Sequence, residues 1–417
     1  MSQVQSDEPV RLLSEQTLRE PHDFWATLRS SQPVRKVDEG IGYYLLSRYE
    51  DVSAALRDPE TFSSELSRRF KGGVSAYEDT PAVKEVLAQG CPYMGTLNFT
   101  DGERHAAHRR AVRRGFTVAR VRQLEDVITT IVDELVGALP FHQEVDLWPR
   151  LCVALPIRVI THILGLNPDR AAEVKQWGDA QVARFGQPRE DEAENLDIAN
   201  RVVAMHHYLM GEFDARAREP RDDFLSDMLA GAEADGLSRQ ELVLIGSQLI
   251  VAGAESTASL LGSMIDRLVD SPAQMAALRA DRSLIPGAVE ETLRTESAIK
   301  SAYRFTTRDV EIDGTVIPKD SVVLLLLGSA NRDEAMFPEA DQFDITRGEA
   351  SRHLTFGSGI HLCSGAALAR SEGRIALGAL LDRTSDIIRV HRQDPVHEPD
   401  LTVRKLHSLP LVLEPAQ

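Results

Sequence analysis

The chain has 417 residues, of which 42% are hydrophobic, and a formal net charge of −17 at pH 7. An acidic protein surface repels nucleic acids and anionic membranes, so we expect neither as its main partner. No linker, internal repeat or low-complexity run interrupts the sequence, which predicts one large domain over residues 1–417.

The cysteines and the first residues of the chain indicate the cellular compartment of the protein. Cys91, Cys152 and Cys363 lack the paired spacing of a zinc site, and three is a poor number for a disulfide framework, so we expect them to be reduced. Residues 1–9 carry neither the basic region nor the apolar segment of a signal peptide. We therefore expect a cytoplasmic protein without a membrane anchor.

In chain order, the first predicted elements are a helix at residues 21–28, a β-rich strand at 42–46 and a helix at 49–56. From residue 63 to residue 99, glycines and prolines break any long element. Long segments without regular structure in compact domains are often functional covers, and we expect that here.

A basic helix is predicted next. Thr100 and Glu103 have capping-box spacing, so the helix should begin there. His105 and Arg109 follow at i, i+4 on one face. By spacing alone, a solvated basic helix is an equally good interpretation. The remaining arginines should form a basic patch on an otherwise acidic protein: Arg104, Arg110, Arg113 and Arg114.

Residues 119–216 are predicted to be mostly amphipathic helices, and nothing in them specifies chemistry. A second capping box, Ser238 with Glu241, opens a helix that meets no proline before Pro272. At ~1.5 Å per residue it is roughly 45 Å long, and its apolar middle predicts burial. We reject a membrane span because Gln248 and Glu255 lie near its centre, where a carboxylate costs ~3 kcal/mol.

Residues 252–257 of this helix combine small side chains, one acid and two hydroxyls. Small residues permit the close approach of a flat ligand. A hydroxyl can also bond the carbonyl four residues earlier and locally open the helix, which makes room for water. Ordinary close packing of helices with a chance carboxylate is the alternative interpretation.

Pro286 lies near the start of a further helix, in which Glu291 and Arg294 are three residues apart and able to form a charge-assisted bond. Such pairs alone are common on surface helices. The run at 310–324 alternates around Asp313 and Gly314 and predicts a β-hairpin.

The most informative stretch is the loop at 353–365. Gly357 and Gly359 allow a backbone path with positive φ, which suits a tight hairpin or bulge. Helix-forming residues follow Gly365, so Cys363 lies where a loop enters a helix. Free N–H groups and the helix dipole there favour a thiolate, the form that binds metal. A lone cysteine without such a context is usually a small buried hydrophobe.

The pattern Phe-Gly-x-Gly-x-His-x-Cys-x-Gly resembles the cysteine-ligand loop of the cytochrome P450 family, here of the bacterial, soluble haem-thiolate monooxygenases. All six of its defined positions are present: Phe356, Gly357, Gly359, His361, Cys363 and Gly365. The resemblance implies that Cys363 is the axial ligand of the iron of haem b, that Phe356 and Gly357 pack beside it, and that His361 bonds a haem propionate. The helix of His105 and Arg109, and the strand of Arg304, resemble the family's other propionate-binding elements.

The resemblance extends to the long helix, where residues 252–257 are similar to the family's oxygen-activation motif. It implies that Glu255 is the proton-relay acid, that Ser256 is the hydroxyl orienting oxygen and water, and that Thr257 belongs to the same catalytic group. Serine stands where threonine is usual and lacks the methyl group that restricts rotamers, so the coupling of electron use to product is expected to differ.

Glu291 and Arg294 resemble the family's buried, structural ion pair. The arginine that normally completes that network is Gln342 here, and either Arg347 compensates or the network is weaker. By position alone, the resemblance also suggests a set of substrate-pocket residues: Gln248, Val251, Ala252, Ile299 and Ser301.

The implied fold is mainly α with a small β portion, the cytochrome P450 fold. The implied activity is insertion of one oxygen atom from O₂ into a small, largely apolar organic substrate. Electrons should come from a ferredoxin-type iron–sulfur protein with its NAD(P)H-dependent reductase, docked on the basic patch. A non-catalytic haem-thiolate sensor and a peroxide-driven peroxygenase are the alternatives, and the acid and hydroxyl at 255 and 256 argue against both.

Overall fold

The computed structural model describes residues 11–65, 79–184, 189–390 and 396–416. Residues 66–78, part of the predicted cover, lie outside this range. Its α-helices are α1 (Glu15–Arg19), α2 (His22–Ser31), α3 (Tyr49–Arg57), α4 (Pro81–Leu87), α5 (Gly102–Arg113), α6 (Val118–Gly137), α7 (Ala154–Ile163), α8 (Ala171–Ala183), α9 (Glu192–Arg218), α10 (Phe224–Ala232), α11 (Arg239–Val269), α12 (Pro272–Ala280), α13 (Ile285–Glu296), α14 (Leu327–Ala330) and α15 (Ala366–Arg383).

The strands are fewer and short. They are β1 (Val34–Val37), β2 (Tyr43–Leu46), β3 (Phe62–Ser63), β4 (Glu144–Asp146), β5 (Ala302–Thr306), β6 (Val310–Ile312), β7 (Thr315–Ile317), β8 (Val322–Leu325), β9 (Thr384–Arg389) and β10 (Pro410–Pro415). The expectation of a mainly α fold with a small β portion is confirmed. The early elements α2, β2 and α3 match their predicted ranges within three residues.

The largest sheet has five strands in the order β1-β2-β8-β5-β3. β2 and β8 run parallel, and the other neighbours are antiparallel. Arg304 of β5 pairs in register with Val323 of the buried strand β8. Arg304 therefore lies on an interior strand of this sheet, between β8 and β3.

Two smaller sheets complete the β portion. One has the order β4-β10-β9, and the other is the β6-β7 hairpin. Asp313 and Gly314 join β6 to β7 with φ values of 47° and 72°. Two successive residues with positive φ match the twist of a two-residue hairpin, which explains why Asp-Gly occupies the turn. The predicted hairpin is confirmed.

Helix α11 crosses the helical part of the molecule and packs against α7, α8, α9, α13 and α15. Its start is the predicted capping box: the Ser238 hydroxyl accepts from the Glu241 N–H at 3.2 Å, and the Glu241 carboxylate accepts from the Ser238 N–H at 2.9 Å. In the described part of the chain, α11 alone has the length and apolarity of a membrane span, and it is mostly buried. Burial by other helices makes it a core helix.

The start of α5 corrects the sequence prediction. The residue before the helix is Asp101, not Thr100, and its side chain makes no capping bond. The Thr100 hydroxyl instead donates to the Leu97 carbonyl at 3.1 Å, within the 3₁₀ turn Leu97–Phe99. Gly102 has φ of 59°, a value that glycine adopts without strain. The Asp101 carboxylate is therefore available for contacts with other elements.

Candidate functional site

The cysteine loop follows the tight path that its glycines predict. Gly357 and Gly359 have φ values of 69° and 67°, and a Cβ on Gly359 would lie 2.7 Å from the Leu56 carbonyl oxygen. The Cys363 N–H donates to the Phe356 carbonyl at 2.9 Å and closes the loop. Helix α15 begins three residues later, so Cys363 lies at the junction of loop and helix, as expected.

The Cys363 thiol lines an internal, solvent-accessible space, since its residue is exposed although protein surrounds it. Burial raises the pKa of the Cys363 thiol. The N–H groups of Gly365 and Ala366 and the guanidinium groups of Arg109 and Arg370 act in the opposite direction. These groups favour the thiolate as the sequence predicts, but burial outweighs them in the free thiol, and a bound metal ion would favour the thiolate further.

Arg370 of α15 braces the loop from the helix side. Its guanidinium lies 4.6 Å from the centre of the Phe356 ring and bonds both carboxylate oxygens of Glu290, at 2.5 and 2.9 Å. Burial opposes the ionisation of Glu290, but hydrogen bonds from Arg370 and His353 lower its pKa to about 2. Phe356, whose carbonyl accepts the Cys363 N–H, is thus held against a well-anchored cation.

Arg304 is a buried cation. Its residue is 6% exposed, and the one hydrogen bond that its guanidinium makes to a described residue runs from Nη1 to the Tyr303 carbonyl, at 2.7 Å. No carboxylate of the described ranges lies within salt-bridge distance of it. Burial lowers the pKa of Arg304 to about 10, with Asp101 acting in the opposite direction. A buried guanidinium with this few partners is costly unless an anion accompanies it.

Two histidines lie beside each other near this cation. The ring centres of His105 and His361 are 4.2 Å apart. His361 Nε2 bonds Asp101 Oδ1 at 2.9 Å, and Asp101 also accepts from Ser63 Oγ at 2.6 Å. Burial lowers the pKa of His361, and burial together with the charges of His361 and Arg109 lowers that of His105 to about 4. Both rings are therefore neutral near pH 7.

Arg109, one turn beyond His105 on α5, completes this group. Its guanidinium donates to the hydroxyl of Ser364, the residue after the cysteine. The structure thus brings together side chains from three separate segments, α5, β5 and the cysteine loop: His105, Arg109, Arg304, His361 and Cys363. It also adds Asp101 and Ser364, which were not predicted.

In helix α11, a run of residues interrupts the buried surface. Ala252 is exposed, and its neighbours in this run are partly exposed, although α11 is buried along most of its length. An exposed alanine in the middle of a core helix indicates an accessible cavity beside the helix. The residues of this face are Gln248, Val251, Ala252, Gly253, Glu255 and Ser256.

Glu255 is mostly buried, with 16% of its side chain exposed. Its carboxylate lies 3.6 Å from the ammonium of Lys405, in the C-terminal segment. Burial raises the pKa of Glu255, and Lys405 opposes this rise. The group is therefore more readily protonated than an ordinary glutamate.

Ser256 makes the predicted bond to the preceding turn, since its hydroxyl donates to the Ala252 carbonyl at 2.8 Å. The helix nevertheless remains α-helical throughout Arg239–Val269, so the expected local opening is absent from α11. Because the Ser256 proton is used, its oxygen is left as an acceptor. Thr257, the third member of the predicted group, is buried at 4% exposure.

The predicted pocket residues lie in two segments: Gln248, Val251 and Ala252 in α11, and Ile299 and Ser301 between α13 and β5. Gln248 is held by the loop before α5: its amide oxygen accepts from Thr96 Oγ1 at 2.8 Å, and its amide nitrogen donates to Asn98. Ile299 forms an isolated β-bridge with Val403 and is partly exposed. Ser301 is 3% exposed, and its hydroxyl donates to the Leu401 carbonyl at 2.8 Å, so that hydroxyl serves a structural bond.

Glu291 and Arg294 form a fully buried ion pair, with Arg294 donating to both carboxylate oxygens at 2.7 and 2.8 Å. Arg347 Nε also bonds Glu291, at 3.2 Å. The Gln342 carbonyl accepts from Arg294 at 3.0 Å. Arg347 therefore supplies the charge that Gln342 lacks, which answers the question that the sequence left open.

The predicted basic patch on α5 is smaller than expected. Arg104 pairs with Glu241, and Arg110 pairs with Asp235 at 2.6 Å. Arg113 and Arg114 are exposed and form no ion pair with a described residue. Acidic residues at the N-terminal end of α11 thus neutralise half of the patch, because they fold against α5.

Sequence reasoning missed several residues around the site. Asp101, Arg370 and Glu290 belong to no recognisable motif, although the position of Asp101 just before the basic helix can be read from the sequence. Lys405 has no signal at all, since it lies in the C-terminal segment some 150 residues from Glu255. Only the fold brings that segment beside α11.

Comparison with known proteins identifies the family. A model described as "Cytochrome P450" matches residues 191–405, slightly more than half of the chain. Cytochrome P450 107B1 of Saccharopolyspora erythraea is 37% identical, covering 94% of both chains, and the vitamin D(3) 25-hydroxylase of Pseudonocardia autotrophica is 37% identical, covering 95% of this chain and 94% of the relative. The structure of cytochrome P450 CYP109Q5 from Chondromyces apiculatus is 36% identical, with a TM-score of 0.84 over 98% of both chains. The chain is a member of the cytochrome P450 family of monooxygenases.

Proposed function

We propose that this monooxygenase inserts one oxygen atom from O₂ into a small, largely apolar organic substrate, and that residues 1–417 form one domain around haem b. Among its relatives is an enzyme named for the hydroxylation of vitamin D₃. The accessible face of α11 carries three small or apolar residues, Val251, Ala252 and Gly253, beside the polar Gln248, Glu255 and Ser256. Such a face suits an apolar substrate oriented by few polar groups.

The buried Arg304 supports the placement of haem. A guanidinium at 6% exposure with one hydrogen bond to a described residue fits an anionic group beside it. The two propionates of haem b are such anions, and Arg109 and His105 would hold them with Arg304. A propionate beside His361 would raise the pKa of that ring, and its Nδ1 could then donate while Nε2 stays on Asp101.

Cys363 is the residue that would ligate the iron. When bound, a thiolate-ligated haem supplies the activation of O₂, because the thiolate donates electron density that favours O–O cleavage. The N–H groups of Gly365 and Ala366 and the cation of Arg109 stabilise negative charge on the sulfur. Phe356, Gly357 and Arg370 hold the loop in place.

Glu255, Ser256 and Thr257 would deliver protons. Glu255 lies between the interior and the ammonium of Lys405, and burial raises its pKa, so it accepts a proton more readily than an exposed glutamate does. The Ser256 oxygen is an acceptor for a water on the cavity side, since its own proton goes to Ala252. Thr257, one residue on, is buried beside them.

Electrons would come from a ferredoxin with its NAD(P)H-dependent reductase. The surface for this donor is the end of α5, where Arg113 and Arg114 are exposed and without ion pairs in the described ranges. Reversing both to Glu should slow reduction by the ferredoxin at low salt, because surface charges act over ~10 Å at 0.1 M. Arg104 and Arg110, already paired, provide matched control variants. A reduction rate independent of salt and of the reversal contradicts this surface.

The haem proposal is tested by reducing the purified protein under carbon monoxide and recording the Soret band. We expect the spectrum of a thiolate-ligated haem, and its loss in Cys363→Ala. Cys91→Ala and Cys152→Ala are the controls and should keep it. A spectrum like that of a histidine-ligated globin would overturn the assignment.

The substrate class is tested by titrating the ferric protein with terpenes, aromatics, fatty acids and steroids and recording the shift of its absorption spectrum. We expect apolar compounds to shift the spectrum. Product formation from such a ligand with O₂ and the ferredoxin system supports the proposal. Ligand binding without turnover would indicate a sensor, and turnover with hydrogen peroxide alone would indicate a peroxygenase.

A further inference from the structure

Lys405 forms an ion pair with Glu255, a member of the proposed proton-delivery group. Its Nζ lies 3.6 Å from Glu255 Oε1, and this is the one salt bridge that Glu255 forms with a described residue. The lysine side chain is 37% exposed, whereas that of Glu255 is 16% exposed. The pair therefore spans from the interior of the molecule to solvent.

The backbone of Lys405 is firmly held on both sides. Arg404 is 1% exposed, bonds Glu296 at 2.9 Å through Nε, and donates its N–H to the Ala298 carbonyl at 3.0 Å. Leu406 is fully buried, and the Lys405 carbonyl accepts from the Glu398 N–H at 2.8 Å. Only the flexible side chain of Lys405 is free to move, so its ammonium stays within reach of Glu255.

Other charges face Glu255, but they are compensated locally. Lys175 and Asp179 of α8 bond each other at 2.5 and 2.6 Å. Asp400, in the same segment as Lys405, accepts from the N–H groups of Thr402 and Val403 at 2.6 and 2.7 Å. Lys405 forms no second salt bridge with a described residue, so its charge acts chiefly on Glu255.

We propose that Lys405 is a positioning residue for Glu255, a role that rests on the proposed function of Glu255 in proton delivery. Its ammonium holds the carboxylate on the solvent side of α11 and keeps it ionised until a proton arrives from solvent water. The protonated carboxyl loses this attraction and passes the proton to a water on the Ser256 side. Lys405 keeps its own proton throughout, so the net transfer is one proton from solvent to the cavity.

The test compares Lys405→Met, Lys405→Arg, Glu255→Gln and the double variant K405M/E255Q. Each is first checked for haem content and for the spectrum of the reduced, carbon monoxide-bound protein. The fraction of reducing equivalents recovered in product is then measured against pH. Infrared difference spectra between each protein and its E255Q counterpart follow the titration of the Glu255 carboxyl band without turnover. Lys36→Met removes a remote, exposed ion pair with Asp38 and is the control.

We expect K405M to lower coupling by roughly two- to fivefold, the range of a partly exposed ion pair. The carboxyl titration should move to higher pH, because the lost cation had favoured the ionised form. K405R should restore both. In the E255Q background, K405M should have no further effect, since the two residues act as a unit.

Three outcomes would overturn the role of Lys405. If K405M keeps wild-type coupling and a wild-type Glu255 titration while E255Q is impaired, Glu255 acts in proton delivery and Lys405 does not. A K405M defect of equal size in the E255Q background means that the lysine acts elsewhere, for instance on the substrate. Wild-type coupling in E255Q overturns the proposed role of Glu255 itself, and that of Lys405 with it.

Discussion

Glu291 and Glu255 are both glutamates within helices of the protein interior, each opposite a basic residue, yet their surroundings differ. Glu291 is fully buried and receives two bonds from Arg294, one from Arg347 and one from the Asp344 N–H. Among the described residues, Glu255 has one ion-pair partner, Lys405 at 3.6 Å, and its side chain remains 16% exposed. Burial raises the pKa of Glu255.

The number of donors separates a structural carboxylate from one suited to proton exchange. Four donors satisfy the lone pairs of Glu291 and leave no room for water, so its bonds are part of the fold. A single cation at 3.6 Å leaves most of the lone pairs of Glu255 free to meet water. We therefore expect changes at Glu291 to affect folding and changes at Glu255 to affect turnover.

The largest effect is expected for Glu291→Ala. It leaves Arg294 and Arg347 buried without their carboxylate, which should cost ~3–5 kcal/mol of unfolding free energy and much of the yield of folded protein. Urea denaturation and haem content measure this. Glu194→Ala, at an exposed position of helix α9, is the control and should unfold like the wild type. If Glu291→Ala unfolds at the same urea concentration as the wild type, Glu291 is not a structural carboxylate and does not differ from Glu255 in this respect.

Glu255→Gln should slow product formation on the order of 100-fold, because a general acid–base residue contributes at least that much. Its urea midpoint should stay close to that of the wild type. Asp266→Asn on the same helix, where the acid bonds Arg389 at 2.7 Å, should leave turnover unchanged. A Glu255 variant that unfolds early but turns over normally would reverse the assignment.

Ser256→Ala should lower coupling by about fivefold, the equivalent of one hydrogen bond of about 1 kcal/mol, and send the lost electrons to peroxide. Ser256→Thr retains the hydroxyl and should be tolerated. Product and peroxide are both measured per electron consumed, with haem content as the check on folding. Unchanged coupling in Ser256→Ala would show that the hydroxyl serves only its bond to Ala252.

The smallest effect concerns the pH dependence of stability, for which Glu255 and Glu290 have opposite signs. The pKa of Glu255 is raised above 4.5, so its contribution is present below that pH and is lost as pH rises through the folded value. The pKa of Glu290 is lowered to about 2, so its contribution is present above 4.5 and is lost as pH falls towards 2. Urea midpoints of the wild type, Glu255→Gln and Glu290→Gln against pH measure both. Parallel curves for all three would contradict the assignment.

Local sequence predicted much of the site. The glycines of the cysteine loop, the Ser238 capping box, the Asp313-Gly314 hairpin and the Glu291 and Arg294 pair all depend on residues within a few positions of one another. Short-range sterics and hydrogen bonding decide such features, so their pattern is readable without the fold. The start of α5 was predicted wrongly because the Thr100 hydroxyl bonds the Leu97 carbonyl and does not cap the helix. The carboxylate of Asp101, the residue next to the helix, bonds the distant Ser63 and Ser64.

Only the tertiary structure decided which charges meet. It paired Arg104 and Arg110 of α5 with acids near α11, brought Arg347 to Glu291, and placed Lys405 beside Glu255. It also buried Arg304 without a carboxylate partner among the residues that the structure describes. Charged side chains are long, and any acid can pair with any base, so sequence alone does not rank the pairs. Their distances, and the burial that shifts each pKa, exist only once the helices and sheets have packed.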